Sequence, residues 1–155
     1  STFKKVNIQN FGIIHLATHG FVNHGRANLA GVAFARNPSS EEDGILYMDE
    51  IFSLHNRANL ICLSACETGR GILQTGEGLI GLTRAFIYSG AQNLVVSLWK
   101  VEDESTANLM VDFYSNLIKK RSVSESLRQA KLTMIKKNPT INPYYWSAFI
   151  HIGLN

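Results

Sequence analysis

Four short apolar runs, GIIHLA (12–17), NLICLS (59–64), NLVVSLW (93–99) and SAFIHIG (147–153), limit what this chain can fold into. Each is rich in Ile, Val, Leu or Phe without clean alternation, which suits strands covered on both faces of a parallel sheet. Helical patterns separate them. LIGLTRAFIYSGA (79–91) has apolar residues at Leu79, Leu82, Phe86 and Ile87, with Gly90 placed as a C-terminal cap. DESTANLMVDFYSNLIKK (103–120) puts Leu109, Met110, Phe113 and Leu117 on one stripe, with acids in its first turn and lysines in its last. SVSESLRQAKLTMIKK (122–137) opens with a Ser122 and Glu125 capping box. GVAFA and GILYM, on either side of the polar RNPSSEED, predict a hairpin with a long exposed connection. Strands alternating with helices predict a doubly wound α/β sheet, one domain across residues 1–155. Four strands and a hairpin make a thin sheet of this kind, so one of its edges is expected to be missing.

Composition narrows the function classes. No apolar run reaches the roughly 18 residues that a membrane-spanning helix requires. The net charge is +3, and nearly half of the 15 Lys and Arg residues fall between residues 119 and 137. A mild excess on one helical stretch reads as a solvated face rather than a nucleic-acid surface. The two cysteines, Cys62 and Cys66, are too close in sequence for a disulfide framework, which sets a reducing, cytoplasmic expectation. The chain begins at Ser1 rather than Met, without a signal sequence, so an upstream portion is expected to be missing.

In an open parallel sheet, ligands bind outside the carboxyl ends of the strands. The first strand leads there into Thr18, His19 and Gly20, the second into ACETG (65–69), and the third into WKVED (99–103). Parallel strands would therefore place His19, Cys66 and Asp103 on one rim. A cysteine protease needs a thiolate, an imidazole to manage its proton and donors for the developing oxyanion. His19 and Cys66 supply the first two. Gly20, lacking a side chain, lets its N–H approach a substrate carbonyl, and the N–H of Cys66 is a second donor. The residues alone leave a plainer alternative open, in which Cys66 is a small buried hydrophobe and His19 a satisfied rim residue.

Two other chemistries fit less well. His15/His19 and Cys62/Cys66 have a spacing that would face one zinc ion on a helix, but on a strand four residues span roughly 13 Å. His15 and Cys62 are then expected as core residues of their strands. The glycine-rich GRGILQTGEGLIG (69–81) lacks the Lys-Ser/Thr ending of a P-loop, and it follows a cysteine-bearing turn rather than the first strand. It is expected to be a loop bordering the cleft.

The blocks HLATHG, LSACETGRG, GEGLIGLTRAFIYSGAQNLVVSLWKVED, FYSNL and NPYYWSAFIHIG resemble, in order and near spacing, the CHAT family. These are caspase-like (clan CD) peptidase domains, often attached to TPR repeats and distantly similar to separase. The resemblance runs from about Gly12 to Gly153. It implies a caspase-like three-layer α/β/α fold with a mostly parallel sheet, whose first strands lie upstream of the histidine segment and are absent here. The implied activity is a cysteine endopeptidase acting on protein or peptide substrates, with His19 as general base and acid, Cys66 as nucleophile, and Gly20 and Cys66 as oxyanion donors. The resemblance implies no metal or cofactor. The resemblance also implies that Ser97, Leu98, Trp99 and Lys100 pair with an extended substrate by backbone hydrogen bonds. Separase-like relatives select a basic P1 residue through an acid after this strand, where Asp103 stands. Asp103 as a mere helix cap is the alternative, with Glu67 and Glu77 as further candidate acids. A TPR region or regulatory protein is the implied partner, neither nucleic acid nor membrane being expected to bind. The alternative function is an inactive caspase-like interaction module.

Overall fold

A segment of Ile, Leu and Val with no polar face is stable only between two covering layers. Two of the four apolar runs meet this condition in the computed structural model, which describes residues 6–21, 30–36, 43–64 and 77–153. The strands are β1 (Ile13–Leu16), β2 (His19–Phe21), β3 (Gly31–Ala33), β4 (Ile45–Tyr47), β5 (Leu60–Leu63), β6 (Asn93–Ser97) and β7 (Phe149–Gly153). The helices are α1 (Met48–Ser53), α2 (Glu77–Tyr88), α3 (Asp103–Ile118), α4 (Val123–Lys137) and α5 (Pro143–Trp146).

The main sheet has the order β1-β5-β6-β7. Its first three strands are parallel, and β7 runs antiparallel to β6. The reversal follows from the two long helices, α3 and α4, between β6 and β7. They form an antiparallel pair, α3 carrying the chain away from the carboxyl rim and α4 bringing it back, so the next strand starts where β6 ended. A second sheet, β2-β3-β4, is antiparallel and contains the expected hairpin as β3 and β4. The middle of the connection in that hairpin lies outside the described residues.

The main sheet separates two cores. On one face Ile14, Leu16, Ile61, Leu63, Leu94 and Val96 meet Ile51 of α1 and Leu82, Ala85 and Phe86 of α2, and the small sheet adds Val32 and Leu46. On the other, Leu60, Cys62, Val95 and Phe149 meet Leu109 and Phe113 of α3 and Leu127, Ala130 and Met134 of α4. Every residue of β5 is buried, as a two-faced strand requires. β1 departs from that expectation. It alternates, with Ile14 and Leu16 inside and Ile13 and His15 exposed. It is an edge strand among the described residues, and α3 covers less of its second face.

Helix ends follow the sequence closely. Gly90 has φ +116°, and the N–H groups of Gly90 and Ala91 reach back to the carbonyls of Ile87 and Phe86. This pair of bonds closes α2 as a Schellman cap. Ser122 caps α4 by accepting the Glu125 N–H at 3.3 Å. The Glu125 carboxylate meets Gln129 and Arg128 rather than completing the expected box.

Candidate active site

A cavity of about 950 Å³ opens at the carboxyl rim of the parallel strands. His15, Thr18, His19, Ser64, Lys100, Glu102 and Asp103 line it, together with Ala33 to Ala35 and the first turns of α3. His19 and Asp103 therefore share one cleft with Ser64, the last described residue before the segment that holds Cys66. Cys66 and Glu67 themselves lie outside the described residues, as does most of the glycine-rich stretch; Glu77 opens α2.

His19 reaches the cleft differently from the simplest expectation. β1 ends at Leu16, and the chain leaves the main sheet at Ala17 and Thr18. The Thr18 hydroxyl donates to the Ala33 carbonyl, and His19 follows as the first residue of β2, opposite Ala33. Its side chain is exposed. On either side of β3, Phe34 N–H donates to the Gly44 carbonyl and the Ala30 carbonyl accepts from Met48 N–H, so residues 30, 32 and 34 bond toward β4. Alternation along an antiparallel ladder then turns Gly31 and Ala33 toward β2 and leaves Gly20, opposite Val32, with its N–H directed away from β3. That orientation suits a donor to an incoming carbonyl.

His15 is not the core residue expected from its strand. Its Nε2 lies 3.1 Å from Ser64 Oγ, and its Nδ1 lies 2.9 Å from the Tyr114 hydroxyl on α3. Burial lowers its pKa, so the ring is neutral near pH 7. A neutral imidazole has one donor and one acceptor, and both neighbours are hydroxyls able to play either part, so both ring nitrogens are satisfied in either tautomer. Tyr114 also contacts Cys62, directly across from His15 in the register. Burial pushes the Cys62 thiol up to about 11, against a smaller opposing effect of the Tyr114 hydroxyl. Burial, and then Cys62, push the Tyr114 hydroxyl upward as well. Cys62 is thus an inert core thiol, in line with expectation. Sequence reasoning placed His15 in the core and did not single out Ser64 or Tyr114. The one available signal was a polar residue inside an apolar edge strand.

The segment Ser97–Lys100 is already tied by bonds of its own. Leu98 N–H donates to the Ala148 carbonyl at 2.9 Å, and Ser97 Oγ donates to the Trp99 carbonyl at 2.6 Å. Trp99 Nε1 donates to the Tyr144 carbonyl at 2.9 Å, while the Tyr144 hydroxyl donates to the Lys100 carbonyl. The Trp99 and Tyr144 rings lie 6.0 Å apart. Of these four residues Lys100 lines the cavity.

Asp103 does not cap the helix. Glu102 holds the N-cap position of α3, Asp103 is the first helical residue, and the Glu102 carboxylate accepts from the Ser105 hydroxyl at 2.8 Å. Two exposed carboxylates thus stand at one wall of the cleft, and Glu102 was not among the expected acids.

Three parallel strands between two helical layers, with a cleft at their carboxyl rim, put the chain in the α/β/α class to which caspase-like folds belong. Within that class it belongs to the CHAT domain family, whose profile matches residues 1–154. Among its relatives, tetratricopeptide repeat protein 28 of Mus musculus is 31% identical over 109 residues, covering 70% of this chain. The Homo sapiens protein of the same name is 29% identical over 109 residues. The chain spans about 4% of the length of each of these relatives.

Proposed function

We propose that the chain is the catalytic portion of a cysteine endopeptidase that cleaves protein substrates after a basic residue, governed by a TPR region or a regulatory partner. The observation that supports this most is the shared cavity, in which His19 and Asp103 stand beside Ser64, two residues before Cys66 in sequence. His19 takes the thiol proton of Cys66, and the thiolate attacks the scissile carbonyl. The N–H groups of Gly20 and Cys66 receive the oxyanion. His19 then gives its proton to the leaving amine, and water, activated by the same imidazole, hydrolyses the thioester. Asp103, with Glu102 beside it, holds the P1 guanidinium or ammonium by charge-assisted hydrogen bonds.

Fluorogenic peptides with Arg at P1 test the reading. Cys66→Ala should abolish turnover, and His19→Ala should lower it by roughly 10²–10⁴. Asp103→Asn should lower kcat/KM for Arg at P1 by about 10- to 100-fold, the equivalent of about 1.5–3 kcal/mol, and spare a neutral P1. Equal turnover by wild type and Cys66→Ala refutes the enzyme and leaves the interaction module as the reading that stands. Equal losses for Arg and neutral P1 refute the role of Asp103 alone.

A further inference from the structure

Three polar side chains from three elements meet beneath the cleft. His15 comes from β1, Ser64 from the end of β5 and Tyr114 from the middle of α3. In the register His15 stands opposite Cys62, so its bond to Ser64 runs diagonally, to the residue just past the end of β5. A bond straight across two strands tolerates sliding poorly, and a diagonal one opposes it directly. The Tyr114 bond fixes the ring from the other side and ties both strand ends to α3. An apolar residue at this position would leave the Ser64 and Tyr114 hydroxyls without the ring between them, so the two imidazole nitrogens, rather than the side chain's volume, join the three elements.

We propose that His15 is a positioning residue, which through Ser64 and Tyr114 locks the ends of β1 and β5 in the one relative placement that lets His19 and Cys66 pair. This rests on the catalytic reading above. β1 leads to His19 three residues after its end, and β5 leads to Cys66 three residues after its own. A slip of β1 against β5 would change the spacing between Leu16 and Leu63, from which the chain runs on to His19 and Cys66. A thiolate and an imidazolium attract steeply with distance, so a loosened pair holds its thiolate less well.

The experiment follows alkylation of Cys66 by iodoacetamide between pH 5 and 9, mapped by peptide mass spectrometry, with thermal melts confirming the fold. Buried Cys62 stays silent as an internal reference. Wild type should titrate well below an ordinary thiol, and His19→Ala should return it to that value. His15→Leu, Ser64→Ala and Tyr114→Phe should each raise the apparent value by about half a unit or more, a roughly threefold loss of thiolate at pH values well below the wild-type value. His15→Gln, which keeps a donor and an acceptor, should recover part of the loss. Folded variants that track wild type across the whole range overturn the positioning role and leave the dyad standing. A wild-type Cys66 that titrates as an ordinary thiol overturns the dyad and this proposal together. Should His15→Leu fail to fold, Ser64→Ala and Tyr114→Phe decide.

Discussion

Burial lowers the pKa of His15 below 6.5, the value it regains on unfolding, and does the same for His151. Below 6.5 the unfolded chain therefore binds protons that the folded chain does not. The contribution of these rings to stability is complete above that pH and is lost as the pH falls from 6.5 toward the lowered folded values. Thermal melts should show a plateau above about pH 7 and a decline below 6.5. His15→Gln should make that decline shallower, and an equal slope in both proteins would refute the assignment. Rim residues such as His19 and Asp103 were legible because each follows a strand end. His15 was not, since the one-dimensional pattern does not reveal that β1 lies at the sheet edge.

Element ends were legible where a single residue type meets a backbone demand. A Cβ on Gly90 would lie 2.2 Å from the Asn56 carbonyl oxygen, in a backbone conformation that L-residues avoid. Gly90→Ala should therefore destabilise the protein by more than about 2 kcal/mol. Ser122→Ala removes one capping bond and should lower stability by about 1 kcal/mol. Urea titrations of the two variants check the order, and a smaller loss at Gly90 than at Ser122 would contradict the packing described. The expected capping box formed only by half, because Gln129 and Arg128, one turn on along α4, compete for Glu125. β6 ends at Ser97 rather than at Trp99, where the local Ser97–Trp99 bond turns the chain toward α3.

Two cores share one sheet, so they are expected to unfold together. Phe86 and Phe113 are fully buried on opposite faces, and β5 and β6 contribute residues to both cores. Phe86→Ala and Phe113→Ala should each destabilise by about 3–5 kcal/mol and shift one common unfolding transition. Fluorescence and far-UV circular dichroism that separate into two transitions in either variant would show that the faces unfold independently. The amino-acid pattern by itself determined the four strands of the main sheet, the hairpin, the three long helices and the rim where the cleft lies, because these depend on residue type and short-range spacing. Tertiary structure alone decided that β7 runs antiparallel, that His19 opens a second sheet, and that His15 meets a tyrosine 99 residues away. The reason is physical: direction and long-range contact depend on how helices return the chain and which strand is left at an edge, and no local sequence window contains that information.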